Sequence, residues 1–145
     1  KKISIQEKCV RCHQAEDYAL LGHGKAVMAG NADSATCTDC HLLHNMGRMS
    51  GRAGKEAALL CETYTARCKS CHADAGVARR NNLSTAIADT YDQTYHGKIL
   101  QVGQFPRVAG CADCHSGHNT LSADDPHIWR FIFKSLRWNI NDGIC

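Results

Sequence analysis

Aromatic side chains are scarce in this chain: three Phe, four Tyr and two Trp, 6% of 145 residues. A chain of this length is one domain by size, and with so little large apolar side chain it is a poor candidate for an ordinary core. No stretch approaches the roughly 20 uninterrupted apolar residues that cross a bilayer, so no transmembrane segment is expected. Nor is there a run rich in Lys and Arg, and the formal net charge is only +3, which removes the electrostatic argument for nucleic acid. The chain opens Lys1-Lys2-Ile3-Ser4 and turns polar at once, without the apolar stretch of an export signal.

Cysteine and histidine are plentiful instead, ten and nine residues. Eight of the cysteines fall in four copies of one unit, C-x-x-C-H: Cys9-Val-Arg-Cys12-His13, Cys37-Thr-Asp-Cys40-His41, Cys68-Lys-Ser-Cys71-His72 and Cys111-Ala-Asp-Cys114-His115. This is the attachment signature of a c-type haem. Two thiols three positions apart on a helical turn can each add to one haem vinyl group, and the adjacent imidazole then falls under the iron as proximal ligand. Zinc would pair the units into two four-cysteine sites and leave the histidine after each unit without a use. The four units therefore imply four covalent haems.

On these motifs the chain resembles the multihaem c-type cytochromes, over nearly everything from Cys9 to His118. The resemblance implies a mainly α chain with little regular secondary structure, wrapped around a row of four haems that supply much of the buried apolar area. It should be loop-rich, with short helices, and should not fold without haem. Covalent haem attachment happens outside the cytoplasm, so the chain reads as a mature, exported one. The haem propionates would make four ferric haems add about −4 and four ferrous haems about −8 to the sequence charge.

The order of motifs repeats. Each half runs C-x-x-C-H, then H-G-K, then C-x-D-C-H-x-x-H, over residues 9–44 and again over 68–118. The expectation is one tetrahaem domain, 1–145, holding two similar haem pairs in series. Short helices are expected from Gln14 to His23, ending at Gly22, and from Thr85 to Tyr95, capped by Ser84. A helix-favouring stretch from Gly51 toward Tyr64 feeds the third motif. The tail, 124–145, differs in kind: it carries both tryptophans, Trp129 and Trp138, with Phe131 and Phe133, and reads as a cover for the haems or a contact between subunits. Cys61 and Cys145 remain after the haem thiols are assigned, and in an oxidising compartment they most simply form one disulfide, within or between chains.

Subtracting the proximal histidines His13, His41, His72 and His115 leaves His23, His44, His96, His118 and His127 for the four distal positions. The first four occupy matched places in the two halves and form the expected distal set, with His127 the spare. His44 and His118 each lie three residues after a proximal histidine, on the same side of a helical turn, so neither can approach the same iron from its opposite face. The expected pairing is His13/His44, His41/His23, His72/His118 and His115/His96. Met28, Met46 and Met49 near the second motif are the competing ligands, and a Met/His site would raise that haem's potential.

Filled axial positions at every iron favour an electron-transfer protein over an enzyme acting on a small nitrogen compound, which needs an open coordination position. Two settings fit: a soluble periplasmic shuttle passing electrons between redox proteins, or a subunit of an extracellular filament of its own copies. The tetrahaem cytochromes that polymerise into nanowires look similar in haem count, length and motif mixture. The aromatic tail, the spare cysteines and the extra length favour the filament.

Overall fold

The computed structural model describes residues 2–13, 18, 22–41, 54–103, 105, 108–118, 120 and 125–126. Among them the chain is mainly α-helical and has no strand. The helices are α1 (Lys2–Cys9), α2 (Gly22–Met28), α3 (Cys37–Cys40), α4 (Gly54–His72), α5 (Ala75–Arg80), α6 (Ile87–Gln93), α7 (Tyr95–Val102) and α8 (Cys111–His115). No helix among the described residues is long and apolar enough to cross a membrane.

One element departs from the expected short helices. α4 runs unbroken for 19 residues, about 28 Å at 1.5 Å per residue, and carries the third motif in its last turn. It is the central strut: α3, α5, α6 and α8 all pack on it. Two helices start elsewhere than the sequence suggested. Gly22, read as the end of a helix, opens α2. The stretch from Thr85 breaks into α6 and α7 at Thr94, whose hydroxyl accepts from Gly97 N at 3.1 Å and caps α7. Ser84 Oγ accepts from Ala86 N at 3.2 Å, one turn before α6 begins. α7 stops at Gly103, whose φ of +73° suits a residue without a Cβ.

Among the described residues the buried apolar ones are few and mostly small: Tyr18, Val27, Ala58, Cys61, Ala78, Ala88 and Val108. Larger side chains remain exposed, among them Leu59, Met28, Tyr95, Val102 and Phe105. Polar contacts carry much of the long-range tethering instead. Arg80 forms a two-pronged pair with Asp33 (Nε to Oδ2 and Nη2 to Oδ1, both 2.8 Å), tying α5 to the loop after α2. Asn81 donates to the same carboxylate at 3.0 Å. The expected tail, 124–145, lies outside the described residues apart from 125–126, and so do His44, His127, Cys145, Met46 and Met49.

Candidate functional site

The four C-x-x-C-H units sit on helical turns in two ways. The first begins at the last residue of α1 and continues as a turn, with His13 N donating to Cys9 O at 3.0 Å; the third is the last turn of α4. Both close a helix and need no start signal. The second and fourth open helices, and the aspartate of C-x-D-C provides that signal. Asp39 Oδ2 accepts from Thr36 N and Asp113 Oδ2 from Gly110 N, both at 2.7 Å. A carboxylate in the first turn thus satisfies a backbone donor just ahead of the first cysteine. Burial raises the Asp113 pKa despite that hydrogen bond.

The units influence one another electrostatically in chain order: Cys9 acts on Cys37, Cys68 and Cys71 on Cys40, and Cys111 on Cys68. Arg67 Nη1 donates to Cys40 O at 2.5 Å, fixing the second unit against α4. Among the described residues no three His, Cys, Asp or Glu side chains converge as a metal-ion cage.

The histidines converge two by two. His23 lies against His72 with ring centroids 6.1 Å apart and planes crossed at 58°. His41 lies against His118 at 6.0 Å and 52°. The pairing expected from the sequence joined His23 to His41 and His118 to His72; the structure brings the rings together the other way round. Metal–imidazole bonds of about 2.0–2.1 Å on opposite sides of one ion would set ring centroids about 6 Å apart. Each pair would supply two imidazole donors to a planar group, such as a porphyrin, that brings the remaining donors itself. The residues fit a haem.

Surrounding groups hold the rings. Thr120 Oγ1 is 3.3 Å from His23 Nδ1, and the Tyr64 hydroxyl is 3.4 Å from His41 Nδ1, which leaves Nε2 of each for another partner. Burial lowers the pKa of His23, His41 and His72, with a smaller push from a neighbouring histidine in each case. Neutral imidazole, the form that bonds a metal, is favoured there. His72 Nδ1 is buried with no hydrogen-bond partner among the described residues, an arrangement that costs about 1–3 kcal/mol unless something takes it up.

His96, in the first turn of α7, and His13 are exposed; His13 acts electrostatically on His41 and His96 on Asp113 of the fourth unit. His115 is half-buried at the end of α8. Cys61 is buried on α4, its Sγ 2.9 Å from Val108 O, while its expected disulfide partner lies outside the described residues.

Several contributing residues went unread in the sequence. Tyr18 donates its hydroxyl to Ala35 O, and Tyr91 donates to Ala109 O at 2.9 Å. Each acceptor lies two residues before the first cysteine of a C-x-D-C-H unit. Burial is the main cause that raises the Tyr18 pKa and pushes that of Tyr91 up to about 12. The glycine of each H-G-K packs on the backbone of the same tyrosine: a Cβ at Gly24 would lie 1.8 Å from Tyr18 O, and one at Gly97 2.2 Å from Tyr91 O. The signal was present as a tyrosine five residues before each H-G-K histidine. Comparison with known protein families, curated proteins and solved structures finds no match, so the chemistry rests on these residues alone.

Proposed function

We propose that this chain is an electron-transfer protein of the multihaem c-type cytochrome kind, holding four covalent haems. Cys9 and Cys12, Cys37 and Cys40, Cys68 and Cys71, and Cys111 and Cys114 form the thioethers; His13, His41, His72 and His115 are the proximal ligands. His23, His44, His96 and His118 provide the distal ones, with His23 opposite His72 and His118 opposite His41. The observation that carries this reading is the pair of histidine couples at 6.0 and 6.1 Å, each without a third ligating side chain among the described residues. A haem held in this way supplies a one-electron couple at low potential relative to Met/His ligation.

The chain's own part is to hold imidazoles on both faces and so exclude a substrate from the metal. This favours transfer over catalysis on a small nitrogen compound. Attachment units that lie near one another in chain order suit a relay, and the matched Tyr18/Gly24 and Tyr91/Gly97 contacts support two similar haem pairs in series. The few, small buried apolar residues among those described support a polypeptide that covers its cofactors rather than itself. The setting is extracytoplasmic, with copies joined into an extracellular filament. Intact-mass measurement of the exported protein tests the cofactor: the mass of four added haems is expected, and unmodified thiols or bound zinc would reject it. Negative-stain microscopy tests the filament, which isolated particles at high protein concentration would reject.

A further inference from the structure

Two cations on α4 stand beside attachment units, and they are compensated differently. Lys69, inside the third unit, has its ammonium 2.5 Å from Asp92 Oδ2, so its charge is largely cancelled. Arg67, two residues earlier, has no carboxylate within ion-pair distance among the described residues. Neutral groups hold its guanidinium instead. Nη1 donates to Cys40 O at 2.5 Å, and Cζ stands 5.9 Å from the centre of the Tyr64 ring. Tyr64 in turn meets His41 edge-on, with centroids 6.0 Å apart and its hydroxyl 3.4 Å from Nδ1. Guanidinium, phenol and imidazole thus form one contiguous group against the second unit.

We propose that Arg67 raises the reduction potential of the haem attached at Cys37, Cys40 and His41, making it the first of the four to take an electron. This rests on the electron-transfer reading and names the site where an entering electron settles.

Reduction adds one negative charge at the iron, so a fixed cation nearby favours the ferrous form and a fixed anion the ferric form. Arg67 is half-buried, where solvent and salt screen a charge less than at the surface, and an arginine stays charged at every working pH. Its charge reaches the ligand itself: the imidazolium form of His41 is disfavoured by burial first, then by His118 and Arg67. The acid of the second unit does not cancel it. Asp39 is turned toward Thr36, accepting from its N and Oγ1, and has Lys2 at 3.7 Å. The propionates of a haem lie at the porphyrin edge opposite the vinyl groups that bond cysteine, so those of the second haem point away from Cys40. The fourth unit supplies the contrast. It has the same C-x-D-C-H pattern, but the α4 cation that acts on its Cys111 is Lys69, which Asp92 already holds.

The test is a spectroelectrochemical titration of the haem-loaded full chain, with pyridine haemochrome fixing the haem content of every sample. Arg67→Gln is expected to lower the highest-potential component of the four and leave the other three nearly in place. Arg67→Lys keeps the charge and should stay close to the wild type. Removing the second haem (Cys37→Ala with Cys40→Ala) should delete the highest component. An unshifted Arg67→Gln overturns the inference, as does a highest component that survives loss of the second haem. So does an Arg67→Lys chain that falls as far as Arg67→Gln, since the hydrogen bond rather than the charge would then be at work. Should Arg67→Gln fail to mature, Thr63→Glu takes its place, with Thr63→Gln as control. Thr63 lies four residues before Arg67 on the same face of α4, where a carboxylate can pair with the guanidinium. Thr63→Glu should lower the same component, and an unmoved one overturns the inference. Four haems with unmoved potentials reject the role of Arg67 and leave the electron-transfer reading standing, whereas a chain without haem removes both.

Discussion

Histidine rings in this chain are steered by what takes their second nitrogen. Thr120 stands at His23 Nδ1 and Tyr64 at His41 Nδ1, so each ring is oriented by a hydroxyl from a distant part of the chain. The crossed pairing makes a residue-level prediction. His23→Ala should convert one haem to high spin, and that haem should be the one bonded to Cys68 and Cys71. In a chain already lacking that haem (Cys68→Ala with Cys71→Ala), adding His23→Ala should leave the remaining haems low-spin. In a chain lacking the second haem (Cys37→Ala with Cys40→Ala), it should produce a high-spin signal. Spin counting by electron paramagnetic resonance checks this, and the reverse result would restore the pairing of His23 with His41.

At the scale of elements, short helices are positioned by contacts with little slack. Gly97 admits no Cβ without moving the backbone of Tyr91, since the two would meet at 2.2 Å. Gly97→Ala should therefore destabilise the protein by about 1–3 kcal/mol, the range for forced overpacking, read as a lower thermal midpoint. Tyr91→Phe removes one partly buried hydrogen bond and should cost about 0.5–1.5 kcal/mol. What was legible in the sequence follows this division. The C-x-x-C-H and H-G-K units could be read because each is a short pattern of neighbouring residues, repeated in the same order in both halves. The aspartate of C-x-D-C recurs in the sequence too, but its work as a helix starter shows only once Thr36 and Gly110 are seen bonded to it. The ring pairing was not legible. It depends on α4 running unbroken to His72, which sets the third unit beside the second and brings His72 to His23. The break at Thr94 was hidden for a related reason: propensity supports one helix through Tyr95, and the Thr94 cap with the Gly97 contact overrides it.

Among the described residues, polar pairs tie the two halves of the molecule together. The Asp33–Arg80 pair spans 47 positions, and its main effect on Asp33 is to lower the carboxyl pKa through the Arg80 hydrogen bond. A carboxylate whose folded pKa is depressed stabilises the fold above its unfolded value, about 3.9. That contribution is lost as pH falls through this value toward the folded one. Arg80→Ala should accordingly flatten the acid limb of stability against pH and leave the neutral-to-alkaline limb unchanged in shape, as followed by circular dichroism during acid titration. Arg80 is exposed and Asp33 half-buried, so the effect should shrink in high salt.

The central claim is that paired imidazoles close both faces of each porphyrin iron. Low-temperature electron paramagnetic resonance of the assembled, haem-loaded protein, scaled to haem content by pyridine haemochrome, tests it most directly. The account predicts four haems per chain with only low-spin ferric signals of the bis-imidazole type. A high-spin haem in the assembled state, or a haem count below four, would contradict it.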